Sequence, residues 1–170
     1  MARGNERYRI RVARDRFKFS CAHMTVFPDG RKERMHGHNF TVAVQCELPD
    51  IAFESMLDFR AIKDALGELC AEWKEHLLLA ENNPHLSIER LDDTEIEFSL
   101  CRKRYVLPRE DVVLLPIDNV AVEPLSRFVA HRLRERLGPA LVAASALTLE
   151  VTIEETPGQG ASCLVVMGRD

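Results

Sequence analysis

The stretch that decides the fold runs His36-Gly37-His38-Asn39-Phe40-Thr41-Val42-Ala43-Val44-Gln45-Cys46. His36, His38, Phe40, Val42, Val44 and Cys46 fall on one face, and Thr41, Ala43 and Gln45 on the other. Such alternation marks a strand with one buried face. Upstream, Phe17, Phe19, Cys21 and His23 share a face in the same way, after Tyr8, Ile10 and Val12. Between the two runs lies Pro28-Asp29-Gly30, a turn signal. Two strands joined by a loop of about a dozen residues pair most simply as antiparallel neighbours. His23 then closes one strand where His36 and His38 open the next, so three imidazoles meet at one end of the pair.

Working outward, Phe59, Ile62, Leu66, Leu69, Cys70, Trp73 and Leu77 recur at three- and four-residue steps and predict a helix over 58–77, capped by Ser55 or Asp58. Leu125, Phe128, Val129, Leu133 and Leu137 predict a second helix over 122–137. Pro124 sits in its first turn, and Gly138-Pro139 is read as its stop. Residues 82–116 contain Pro84, Asp92-Asp93 and strand-like runs at 96–100 and 104–107, and read as a β-hairpin insertion. About 30 residues are too few for a core of their own. Leu147, Leu149, Val151, Ile153 and Glu155 share one face of a further strand, Thr156-Pro157-Gly158 turns the chain, and residues 162–167 form the last strand. The expectation is one α+β domain over 1–170: a four-stranded antiparallel sheet with two helices on one face.

Composition narrows the function. Of 170 residues, 46% are hydrophobic and 29% charged, which suits a globular domain. The net charge of −4 argues against a nucleic-acid groove, which needs clustered positive charge. No apolar run reaches the ~18 residues of a membrane span, and residues 1–16 are Arg-rich without the apolar core of a signal peptide. Five cysteines with no C-x-x-C pair suit reduced thiols and a cytoplasmic location.

Residues two apart on a strand point the same way, so His36 and His38 can share one ion, and Gly37 between them adds no side chain to crowd the sheet. With His23 they match the three-ligand, open-position pattern of catalytic zinc. For any one of them the alternative is a hydrogen-bonded core histidine, and imidazoles alone also suit iron, copper or nickel. A cupin would place H-x-H on a strand too, but with a Glu a few residues later, and residues 39–46 contain none.

Phe19-Ser20-Cys21-Ala22-His23, followed by Glu33-Arg34-Met35-His36-Gly37-His38-Asn39-Phe40, resembles the 6-pyruvoyl-tetrahydropterin synthase / 6-carboxytetrahydropterin synthase family. Leu57-Asp58-Phe59 with Ile62-Lys63, Glu75-His76-Leu77, residues 119–125 and Glu155-Thr156 follow the family's motifs in order. The resemblance implies the tunnelling fold (T-fold), whose trimers close an oligomeric barrel and often pair into hexamers with active sites between subunits. It implies a dihydropterin substrate with a three-carbon side chain, and His23, His36 and His38 as ligands of Zn2+. Glu155, with Thr156 beside it, would anchor the pterin by accepting two parallel N–H bonds, and Glu123 would assist at the ring. Glu123 equally suits the dipole at a helix start.

The sequence departs from the usual family pattern in three places. No cysteine precedes H-G-H as base, and Cys21 reads as core. Glu33 stands three residues before His36, as in the branch where glutamate replaces the cysteine and retro-aldol cleavage is the implied reaction. Glu33 could equally be one charge in a solvated R-K-E-R loop. Glu75 and His76 take the place of an Asp-His proton relay, although a histidine ending a helix also suits the dipole. Ala121 replaces a threonine, while His85 and His131 belong to no motif and read as surface residues. The expected activity is a zinc-dependent lyase acting on 7,8-dihydroneopterin or its triphosphate. The alternatives are a 6-carboxy-5,6,7,8-tetrahydropterin synthase of queuosine-type biosynthesis and a non-catalytic pterin-binding relative.

Overall fold

In chain order the elements are β1 (Tyr8–His23), β2 (His36–Leu48), α1 (Phe59–Trp73), β3 (His76–Ala80), β4 (Leu86–Leu91), β5 (Glu95–Leu100), β6 (Lys103–Pro108), β7 (Val112–Leu115), α2 (Val122–Ala143), β8 (Thr148–Thr156) and β9 (Gln159–Val166). They come from a computed structural model that describes residues 6–168. Residues 1–5 of the Arg-rich start and the side chain of Ser55 lie outside the described residues.

β1 and β2 pair antiparallel from Tyr8 opposite Leu48 to His23 opposite His36. Ala13 faces Ala43 but Lys18 faces Thr41, so residues 14–17 of β1 bulge against residue 42 alone. That odd offset exchanges the two faces of β1. Val12 before the bulge and Phe17, Phe19, Cys21 and His23 after it are therefore all buried on the same side as Phe40, Val42 and Val44. β8 pairs antiparallel with β2, and β9 with β8, which supplies the expected four antiparallel strands. α1 packs against β1, and α2 against β8 and β9. Both helices cover one face, where Trp73 lies edge-on to Phe19 and stacks on Phe128.

The sheet has six strands rather than four, in the order β7-β3-β1-β2-β8-β9, with β3 parallel to β1 and β7 parallel to β3. The helix expected over 58–77 ends at Trp73, and His76 opens β3. Asp58 caps its start, accepting from the Arg60 amide at 2.7 Å. Glu75, in the left-handed region at φ 64°, turns the chain, and its amide donates to the Ser20 carbonyl at 2.6 Å. β3 is buried on both faces, with Leu78 and Ala80 in the helix-covered core and Leu77 and Leu79 in a second cluster. An unbroken apolar run of this kind carries no period that separates strand from helix.

The insertion also differs from a simple hairpin. β4, β5 and β6 form a separate three-stranded antiparallel sheet, and β7, from the same stretch, joins the main sheet. Ile96, Phe98 and Leu100 of β5 pack on Met24, Val26, Leu79 and Val112, so the insertion shares a core with the main sheet. α2 runs through Gly138 and Pro139 to Ala143. Proline in a helix interior costs about 3 kcal/mol, and here the extra turn buries Leu141 completely. The real stop is Ser145 at φ 52°. Its amide donates to the Val142 carbonyl and that of Ala146 to Leu141, both at 2.9 Å, as in a Schellman cap.

Candidate active site

His23 is fully buried at the end of β1, and its Nδ1–H donates to the Val120 carbonyl at 3.0 Å. His36 Nδ1–H donates in the same way to the Arg34 carbonyl at 2.7 Å. A carbonyl only accepts, so these bonds place the proton on Nδ1 and leave the Nε2 lone pair free. Ring centroids of His23 and His36, His23 and His38, and His36 and His38 lie 4.6, 5.5 and 4.9 Å apart. Gly37 permits this crowding, since a Cβ there would stand 3.1 Å from the Cys21 carbonyl oxygen. Burial, with the neighbouring His36 and His38, holds the His23 pKa below its usual value against the opposing pull of the Val120 bond and Glu155, which favours the neutral ring.

Glu155 completes the cluster. Its Oε1 stands 3.1 Å from His23 Nε2 and 3.6 Å from His38 Nε2, and one ligand atom from each of the four residues lies within 4.8 Å of the others. His23 Nε2 is nevertheless a buried nitrogen without a hydrogen bond. Two lone-pair atoms facing each other at this range call for a cation between them, and the imidazole-plus-carboxylate set suits a divalent metal. The structure thus brings His23, His36 and His38 together as expected, and adds a carboxylate where an open position was expected.

Glu33 reaches toward the same cluster from the β1–β2 loop, with its Oε2 3.9 Å from His36 Nε2. Cys21 is buried, and desolvation aided by Glu155 pushes its thiol up to about 12, so it is core and no base near neutral pH. Asn119 was legible only as part of a helix-entry motif, yet it fastens the site. Its side chain accepts from the Val26 and Val120 amides at 3.0 and 3.1 Å and donates to the Val26 carbonyl at 3.0 Å. That ties the loop carrying Glu33 to the carbonyl that orients His23.

His76 and Glu75 line a cleft of about 600 Å3 with Cys21, Met35, His38 and Asp111. His76 Nδ1–H donates to the Lys74 carbonyl at 2.7 Å, and Glu75 pairs with the Lys74 ammonium at 3.2 Å, so Glu75 does not itself orient His76. Glu123 opens onto a different cavity, of about 570 Å3, with Asp118, Arg127 and a half-buried His131, and is not brought to the histidines. His85 is exposed, as expected.

Glu155 sits in a bulge. Glu154 faces Gly160 and Thr156 faces Gln159, which leaves Glu155 without a ladder partner. Gln159 Nε2 donates to Glu155 Oε2 at 3.0 Å. Gly160 allows the strands to approach, because a Cβ there would stand 2.4 Å from the Ile153 carbonyl oxygen. Gly160→Ala is expected to cost about 1–3 kcal/mol in urea denaturation and to weaken metal binding by displacing Glu155.

The fold and cluster define a class: an α+β sheet protein with two helices on one face and, at a strand end, a group of three histidines and a glutamate whose donor atoms converge as a metal's ligands would. The family model for 6-pyruvoyl tetrahydropterin synthase matches residues 12–164, and the chain belongs to that family of lyase-type enzymes acting on pterins. A Methanocaldococcus jannaschii protein, provisionally named 6-carboxy-5,6,7,8-tetrahydropterin synthase, is 35% identical over 145 residues, which is 85% of this chain and 87% of that protein. The crystal structure of Plasmodium vivax 6-pyruvoyl tetrahydropterin synthase superposes with a TM-score of 0.87 at 26% identity, covering 96% of this chain and 100% of that one. A variant of the same parasite protein, with a glutamate described as a catalytic residue replaced by cysteine, matches with a TM-score of 0.87 at 25% identity over the same shares. No helix among the described residues is long and apolar enough to cross a membrane.

Proposed function

We propose that the protein is a zinc-dependent lyase that cleaves the side chain of 7,8-dihydroneopterin or its triphosphate, with Glu33 as base. The observation that carries this reading is the Glu33 carboxylate facing His36 across 3.9 Å in a chain with no cysteine in that loop. The glutamate called catalytic in the Plasmodium vivax relative supports it.

Held by His23, His36 and His38, zinc would polarise the oxygens of the substrate side chain. Glu155 accepts two N–H bonds from the aminopyrimidinone edge and fixes the ring, with Thr156 beside it. Glu33 takes the proton of the second side-chain hydroxyl. That oxygen becomes a carbonyl, the bond between the first and second side-chain carbons breaks, and the electron pair passes into the ring C=N. A proton delivered to the first carbon completes the retro-aldol step and leaves a 6-hydroxymethyl ring and a two-carbon aldehyde. His76 is the donor: with its Nδ1–H held by Lys74, Nε2 is the nitrogen that carries the proton, and Glu75 supplies negative charge nearby.

In this reading several of these residues act in a homotrimer or homohexamer: Glu123 lines a different cavity from that of its own histidines and would meet the ring held by a second copy. Thr41, Gln45, Glu150 and Thr152, on the side of the sheet opposite the buried core, and the outer edge of β9, which pairs with no strand among the described residues, support closure of such a barrel. Five free thiols support a reducing, cytoplasmic setting.

The name of the archaeal relative favours a second reading, formation of 6-carboxy-5,6,7,8-tetrahydropterin. Incubating the zinc-loaded protein with 7,8-dihydroneopterin and with its triphosphate, and weighing the products, separates the two. Retro-aldol cleavage gives a 6-hydroxymethyl product. A 6-carboxy product favours the second reading, and an intact three-carbon chain refutes both.

A further inference from the structure

We propose that Glu155 is the fourth metal ligand of the substrate-free protein and leaves that position when a pterin ring takes its carboxylate. The ligand assignment stands on geometry alone, and the exchange rests on the function proposed above.

Nitrogen and oxygen donors bind a zinc-sized ion at about 2.0–2.1 Å, and a tetrahedron with such arms has edges of about 3.3 Å. Glu155 Oε1 lies 3.1 Å from His23 Nε2 and 3.6 Å from His38 Nε2, the spacing of a tetrahedral vertex. A hydrogen bond does not account for this approach. The one proton of neutral His23 is committed to the Val120 carbonyl, and its Nε2 has no hydrogen-bond partner. Water does not screen the contact either, since the His23 side chain is 1% exposed and that of Glu155 15%.

The carboxylate is already fully engaged. Oε1 faces His23 Nε2 and His38 Nε2 while Oε2 accepts from Gln159 at 3.0 Å. A ring edge with two parallel N–H donors needs both oxygens at once, so ring binding and metal ligation by Glu155 exclude each other. Glu155 has no ladder partner in its bulge, and its backbone can yield without breaking a strand pair. The vertex it vacates is the one a side-chain oxygen of the substrate would take. The coordination position therefore opens only when the ring is in place, a coupling that must act in both directions.

The test uses cobalt(II) added to the metal-free full-length protein, because its visible spectrum reports coordination number and donor set. Glu155→Gln keeps the shape of the side chain but replaces a charged donor by a neutral amide. Glu155→Asp keeps the charge and draws it back by one methylene. Circular dichroism confirms that each variant is folded. Both variants are expected to bind cobalt at least about tenfold more weakly and to change its spectrum. Adding 6-methylpterin, which has the ring edge but no side-chain oxygen, to the wild-type cobalt protein is expected to move the spectrum toward that of Glu155→Gln. Unchanged affinity and spectrum in both variants would overturn the ligand assignment. Ring binding, followed by fluorescence, without a spectral change would overturn the exchange alone. Failure of the ring to bind overturns the proposed function and the exchange with it, while the two variants still decide the ligand.

Discussion

Glu33→Ala is expected to lower turnover of a dihydropterin by about 10²–10⁴-fold, the usual contribution of a positioned base, with metal content unchanged. Glu33 Oε2 stands 3.9 Å from His36 Nε2, and Glu33 is outside the group of four residues whose donor atoms lie within 4.8 Å of one another, so it borders the cluster without belonging to it. Its side chain is 42% exposed, so the mutation leaves no cavity and stability should stay within about 0.5 kcal/mol. Glu33→Gln, which keeps the shape and loses the basicity, should fall as far as Glu33→Ala. Single-turnover assays with mass detection, run beside a zinc determination, check both variants. Turnover within a few-fold of wild type, with zinc retained, would return Glu33 to the solvated charges of its loop.

The half of the fold that carries the histidines was legible because one-sided burial writes its period into the sequence. Residues 36–46 alternate without a break, and β2 follows them. β3 was not legible. Leu77, Leu78 and Leu79 are buried on both faces of the sheet, and Leu77 also continues the stripe of α1 at helical spacing. What ends the helix is the left-handed Glu75 and its bond to Ser20, a tertiary contact with no local code. Gly138-Pro139 was a sound local stop signal that lost to the burial of Leu141. At the site, the three histidines followed from strand pairing, whereas Glu155 beside them depended on a bulge that the sequence does not announce. Strand alternation did put Glu155 on the inward face, but not within 3.1 Å of His23. Glu123 was assigned by motif order alone, which carries no information about which cavity a helix start faces.

His36→Ala is expected to abolish turnover and to weaken metal binding by about 10²–10³-fold while the protein stays folded. The bonds of His36 are local: its Nδ1 reaches the Arg34 carbonyl two residues away, and its side chain is 37% exposed. The core lies elsewhere, in Phe19, Phe40, Trp73, Leu125 and their neighbours, all fully buried. Structural zinc sites with four ligands are worth about 10–16 kcal/mol in all, so one lost ligand should cost about 3–4 kcal/mol, or roughly 10²–10³ in affinity. The metal-free variant should melt within a few degrees of metal-free wild type and need about 10²–10³-fold more zinc than wild type for the same rise, as ligand binding to the native state requires. His23→Ala would be a poorer probe, because removing a fully buried ring also opens a cavity and orphans the Val120 carbonyl. If His36→Ala instead unfolds at conditions where metal-free wild type is folded, the histidines hold the end of the sheet together. The enzymatic reading of the cluster would then have to be given up.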